Sequence, residues 1–177
     1  KAGAVVNDTT GVCKIGREVV EDCIKKAPRE FVQYGRDSKN NIHQGPYKFY
    51  GGPSCEAVGV WDFETGEHRA PTIYDLAAGI RLCDALDNCD LIQSCCFPSE
   101  LSKEAPDLNR YFIMTKNSSK HICTGPYRSE SVPKLYDMAN IILGKKDAFR
   151  EQPFITLVCG VISPFIMDAG WTKTLML

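Results

Sequence analysis

The sequence predicts an α/β fold whose parallel strands are joined by helical crossovers. Three observations carry this. From residue 72 onward, short apolar runs alternate with stretches of helical periodicity, the pattern of βαβ units. Before residue 72 there is one amphipathic stretch and then extended runs broken at glycine and proline, which predict an N-terminal helix and a hairpin-like element. Hydrophobic residues make up 44% of the chain and charged residues 24%, close to an average globular domain, which excludes disorder, collagen and a simple coiled coil. At 177 residues a single domain is expected. Residues 1–71 form its helix and hairpin-like segment, and residues 72–177 its first βα units.

Taken in order, residues 15–27 place Ile15, Val19, Val20, Cys23, Ile24 and Ala27 at helical spacing, and Pro28 stops the run. The polar stretch 35–41 reads as a loop. Residues 47–50 and 58–63 read as strands, the first ended by Gly51-Gly52-Pro53 and the second by Glu64-Thr65-Gly66. The clearest helix covers residues 72–86. Thr72 can cap it, Asp75 can reach back as the acid of a capping box, and Ile73, Leu76, Ala77, Ile80, Cys83 and Leu86 form one apolar stripe. Residues 91–97 read as a buried strand, 106–115 as a helix and 121–125 as a short strand. Residues 131–143 read as a helix with Pro133 in its first turn and Gly144 past its end, and 154–159 as a further strand. Counting 47–50 as the first, the sheet has about four strands. An eight-stranded barrel typically needs about 250 residues, so a compact three-layer sheet is the alternative.

The charge balance limits the partners. The 21 Lys and Arg nearly match the 22 Asp and Glu, for a net charge of −1, which argues against a polyanion or nucleic-acid binder. No run approaches the roughly 18 apolar residues of a membrane span, and no charged-then-apolar leader opens the chain. The chain begins at Lys1 and stops at Thr174-Leu175-Met176-Leu177, an apolar stop expected of a cut through a larger fold. Nine cysteines are present, Cys13, Cys23, Cys55, Cys83, Cys89, Cys95, Cys96, Cys123 and Cys159. Without a C-x-x-C pair they read as free, buried thiols of a reducing, cytoplasmic compartment rather than a metal site. No G-x-G-x-x-G follows a strand and no Walker A motif occurs, so a nucleotide phosphate cradle is missing.

Several segments share an order and spacing. Ala27-Pro28-Arg29-Glu30-Phe31 precedes Gly35-Arg36-Asp37. Gly51-Gly52-Pro53 precedes Thr65-Gly66-Glu67-His68-Arg69-Ala70-Pro71-Thr72, with Asp75-Leu76 next. Asp84-Ala85-Leu86, Asn117-Ser118-Ser119-Lys120 and Ile162-Ser163-Pro164-Phe165 follow. Together they resemble the trimethylamine/glycine-betaine corrinoid methyltransferase family, the MttB superfamily. The departures are Pro98-Ser99-Glu100-Leu101 in place of a D-x-P turn, His121 where many relatives have proline, and a match that fades after Asp168. The resemblance implies a partial TIM-type (β/α) barrel of which this chain is the N-terminal part.

It also implies a reaction: a methyl group passes from a methylated amine to Co(I) of a cobalamin-type corrinoid on a partner protein. The wording is closer to quaternary-amine members, so a betaine is the expected substrate, and the parent is expected to be a homo-oligomer. No cofactor is expected to be held by this chain itself. A quaternary nitrogen has no N–H, so its recognition rests on aromatic faces and carboxylates, and a betaine carboxylate wants Arg, Lys or backbone N–H groups. The substrate-binding candidates are Tyr50, Phe97, Tyr47 and Trp61, with Phe49 and Phe63 as further aromatics; the competing reading of each is core packing. Tyr50 and Phe97 are expected on the side of the C-terminal strand ends. His121 is expected to be structural, Arg69 to pair with Asp62 or Asp75, and Asp84 and Asp87 to be solvated. The apolar setting of Cys95 and Cys96 is expected to raise their thiol pKa values. Catalytic residues stay unassigned, and the alternative to an enzyme is a non-catalytic barrel remnant or interaction module.

Overall fold

A computed structural model describes residues 3–53, 56–102 and 104–176. Its first element is a hairpin that the sequence reading missed, β1 (Ala4–Asn7) antiparallel to β2 (Val12–Ile15). The signal was local: the Asn7 side chain accepts the N–H groups of Thr9 and Thr10 at 3.0 and 3.1 Å, an Asx turn. Helix α1 (Arg17–Lys26) stands where helical spacing placed it, yet none of its residues is buried.

A second hairpin, β3 (Phe31–Gln33) with β4 (Ile42–Gln44), encloses the 35–41 loop. Residues 47–50 are not a strand. The aromatic-rich run has strand propensity, but Gly45-Pro46-Tyr47 makes a turn in which Lys48 N–H bonds Gly45 O at 3.3 Å and Tyr47 takes φ 64°. The 58–63 run therefore finds a different partner. Its paired part, β5 (Val60–Trp61), runs antiparallel to β6 (His68–Arg69), around a turn in which Asp62 accepts from Glu64 and Thr65 N–H.

The remaining chain alternates. Helix α2 (Ile73–Ala85) opens on the expected capping box, with both the Thr72 and the Asp75 halves present. Then come β7 (Leu91–Ile92), α3 (Pro106–Asn117), β8 (His121–Thr124), α4 (Val132–Leu143), α5 (Ala148–Glu151), β9 (Ile155–Leu157) and α6 (Ala169–Met176). The three strands form one parallel sheet in the order β7-β8-β9, with Ile92 opposite Ile122 and Ile122 opposite Ile155. The expected fourth strand is absent at 47–50. The chain just after it runs beside β7 instead: Gly51 O accepts from Asp90 and Leu91 N–H, and Ala57 makes a parallel bridge with Cys96.

The core lies where the helices cover this sheet. Leu76 and Ile80 of α2, Tyr111 and Met114 of α3 and Ala139 of α4 meet Ile92, Ile122 and Phe154, all fully buried. Burying such side chains stabilises by about 1.5–3 kcal/mol each. Gly79 brings α2 close to the sheet; a Cβ there would lie 2.5 Å from Cys95 Sγ. Among the described residues, no helix is long and apolar enough to cross a membrane.

The β3–β4 hairpin closes the N-terminal end of the sheet. Arg36 donates through Nε and Nη2 to Ser118 O at 3.2 and 2.7 Å, and its N–H bonds Ser119 O. Asp84, expected in solvent, is half-buried and accepts from Ser118 Oγ at 2.7 Å and Ser119 N–H at 3.1 Å; Asp87 is exposed. His121, buried at the first residue of β8, donates from Nδ1 to Tyr34 O and accepts at Nε2 from Thr156 Oγ1, both at 2.8 Å. Burial pushes its pKa below the usual value. Its expected structural role follows from these bonds.

Candidate functional site

The opposite end of the sheet is open. Beyond the C-terminal ends of the strands lies a cavity of about 360 Å³, walled by Gln93 after β7, Gly125 and Tyr127 after β8, Val158 after β9, Glu56 and Trp171. Parallel α/β sheets place their ligands at this end, because the connecting loops there are free to vary over a rigid base.

One buried guanidinium organises the rim. Arg110, on α3, is fully buried, as is Asp107 one turn earlier. Arg110 Nη1 donates to Glu56 Oε1 and, at 3.0 Å, to the Tyr127 hydroxyl. Nη2 donates to Asp107 Oδ1 at 3.2 Å and to Gly125 O at 2.5 Å. The guanidinium carbon also lies 4.1 Å from the centre of the Tyr127 ring, a cation–π stack. Asp107 fixes the same loop from below, accepting Tyr127 N–H at 2.9 Å and Arg128 N–H at 3.1 Å. Tyr111 reinforces it by donating to Thr124 O at 2.6 Å. Burial, and then its hydrogen bond to Glu56, push the Tyr127 hydroxyl well above its usual pKa, so it stays a neutral donor. Three α3 residues thus hold the loop after β8, and Glu56 is held at the rim with 28% of its side chain exposed.

Trp171 closes the far wall. It rises from α6, which Lys173 ties to Glu130 at 2.8 Å. Its ring lies against Gly160; a Cβ there would come within 2.9 Å of Trp171 Cζ3. Glycine at 160 therefore sets how near the indole can come.

A family model described as trimethylamine methyltransferase (MTTB) matches residues 1–177. The chain belongs to that family. It is 31% identical over 156 residues to a trimethylamine methyltransferase of Desulfitobacterium hafniense, covering 88% of this chain and 32% of that protein. It is 26% identical over 161 residues to a glycine betaine methyltransferase of the same species, covering 90% and 33%. A trimethylamine methyltransferase of Methanosarcina mazei is 27% identical over 175 residues, covering 95% and 35%. The chain thus spans about a third of the length of these relatives. The trimethylamine methyltransferase model runs past Asp168 to residue 177, so the expected fading of the match is corrected.

Within this member of the trimethylamine methyltransferase family the predicted aromatics scatter. Phe97 stands nearest the site, edge-on to Tyr127 with ring centres 5.4 Å apart. Tyr50 does not join it. Its hydroxyl donates to His43 O at 3.0 Å, and the next residue bonds Asp90 at the start of β7, so Tyr50 lies by the N-terminal end of that strand. Tyr47 and Trp61 are exposed and do not line the cavity, and Phe49 and Phe63 are exposed too. The competing reading of core packing is therefore corrected for these four, which stand exposed in this structure. Arg69 holds both of its candidate partners, Asp62 at 2.9 Å and Asp75 at 2.7 Å, and Asp75 is held below the usual carboxylate range by that guanidinium. Cys96 follows the expectation: its hydrogen bond to Cys95 and then its burial raise its thiol pKa. Cys95 departs from it, because the same hydrogen bond lowers its thiol to about 7. Cys13 and Cys23 are free but exposed rather than buried, and Cys55 lies outside the described residues.

The sequence reading missed Glu56, Arg110, Tyr127 and Trp171. Only Arg110 left a usable signal: Asp107 and Arg110 stand three apart on a helix and flank the stripe of Leu108 and Tyr111, where a pair of charges needs mutual partners.

Proposed function

We propose that this chain forms part of a methyltransferase that takes a methyl group from a small methylated amine. The observation that carries the reading is the cavity at the C-terminal strand ends, where Tyr127 and Trp171 meet the Glu56 carboxylate. A methylated ammonium offers charge but few or no N–H donors, and aromatic faces with a carboxylate are the groups that hold it. Family membership supports the same reaction class.

The acceptor is a corrinoid on a partner protein, which supplies a Co(I) nucleophile for the methyl carbon. The residues here have three tasks: to orient the ammonium, to exclude water from the methyl carbon and to leave one side open. No proton need be moved for a quaternary donor, because the amine departs neutral. The three-strand parallel sheet is the first part of a TIM-type (β/α) barrel, and the other walls come from strands beyond these. The free thiols fit a reducing, cytoplasmic setting.

The test is methylation of a Co(I) corrinoid protein by the complete polypeptide containing these residues, with trimethylamine and with glycine betaine as donors. Methylation that depends on the donor and is lost in Trp171→Ala supports the reading. Absence of transfer with both donors points to a non-catalytic barrel remnant. The 177-residue chain alone is expected to give no more than the enzyme-free rate, since most of the ring's walls lie outside it.

A further inference from the structure

We infer that Glu56 is a specificity-determining residue that makes this site select a methylated amine cation lacking a carboxylate over a betaine. The inference rests on the reading of the cavity as the methyl donor's seat and narrows its substrate class.

The argument is a charge count at the rim. Two carboxylates, Glu56 and Asp107, share one guanidinium, Arg110. The cluster therefore carries one excess negative charge. Asp107 is sealed beneath the loop, so the side chain that presents this excess to the cavity is Glu56. A monocation completes the balance. A betaine brings its own carboxylate and adds a second like charge next to Glu56.

Among the described residues, no lysine or arginine lines the cavity. Arg110 is committed: both of its Nη atoms donate to Glu56, Tyr127, Asp107 and Gly125, and its Nε is buried. Lys173, on the same helix as Trp171, is paired with Glu130. A substrate carboxylate usually meets a guanidinium fork or ammonium; here it would meet an acceptor. Like-charge juxtaposition is how sites reject close analogues.

The test is a titration of the complete polypeptide containing these residues by two-dimensional NMR, following the indole N–H of Trp171. Trp61, 75% exposed and outside the cavity, is the internal control. Tetramethylammonium is expected to shift Trp171 and not Trp61, and glycine betaine to bind about tenfold or more weakly. Glu56→Gln should weaken tetramethylammonium and bring the two affinities close together. Glycine betaine binding as tightly as tetramethylammonium to the unaltered chain overturns the selectivity alone. So does a preference that survives Glu56→Gln. If neither ligand moves Trp171, the seat itself falls, and the inference falls with it.

Discussion

The two ends of the parallel sheet use similar polar groups for opposite ends. At the N-terminal strand ends, His121, Arg36 and Asp84 direct their bonds into backbone or small hydroxyls that are themselves enclosed. At the C-terminal ends, Arg110 is as deeply buried, but it holds up a carboxylate and a phenol that face a cavity. The segments that carry the family resemblance lie mostly at the closed end or near α2. Gly35-Arg36-Asp37 bonds the Ser118-Ser119 pair, Asp84 bonds the same pair, and Arg69 bonds the acid of the α2 cap. The segments that resemble the family thus fix how the scaffold closes, whereas the cavity at the other end is lined by residues outside those segments.

Breaking the comparison from the open end should have the largest effect. Arg110→Met removes the guanidinium that Glu56 and Asp107 share and leaves Asp107 buried without its ion pair. The expected loss is about 3–5 kcal/mol, read from urea denaturation. A loss below about 1 kcal/mol would show that the rim is not held by this ion cluster. At the closed end, His121→Phe strands Tyr34 O and should cost about 1–3 kcal/mol. His121 also adds a pH signature. Its folded-state pKa lies below the usual 6.5, so the unfolded chain binds more protons in acid. Its contribution is present above pH 6.5 and is lost as pH falls from there toward the folded value. Arg110→Met should keep that slope and His121→Phe should flatten it, which separates the two ends in one set of melts.

Smaller changes sharpen the contrast. Phe97→Ala removes the edge contact that props Tyr127 and should lower kcat/KM for the methylated amine in the complete enzyme by about two- to tenfold. Tyr50→Phe deletes one bond at the closed end. It should cost about 0.5 kcal/mol and leave tetramethylammonium binding to the chain unchanged; a weakened affinity would place Tyr50 in the site after all.

How much was legible follows from the reach of each signal. The α2 cap is local, Thr72 and Asp75 being three residues apart, and its geometry came out as read. The β8 strand and the helices around it were legible from apolar spacing and from Pro and Gly punctuation. At residues 47–50 the strand propensity of Tyr-Lys-Phe-Tyr outweighed, in the reading, the turn that Pro46 imposes. The α1 stripe looks the same in sequence whether or not anything covers it. The site is the least legible part because its bonds are long-range: Arg110 and Glu56 are 54 positions apart, and the strands must associate before those groups meet. Trp171 gains its meaning only when α6 folds back to set its ring on Gly160.

The guanidinium stacked beneath Tyr127 has one more consequence. A phenol ring offers its electron-rich cloud to both faces, and here Arg110 has taken the inner one. A second cation, arriving from the cavity, must lean on a cloud already drawn toward the protein, and it feels Arg110's repulsion through the plane of the ring. Tyr127 is therefore a one-sided and half-spent host. In the proposed methyl-donor seat, it leaves an ammonium only the cavity side of the ring and weakens the hold on it. Such a contact suits turnover better than storage.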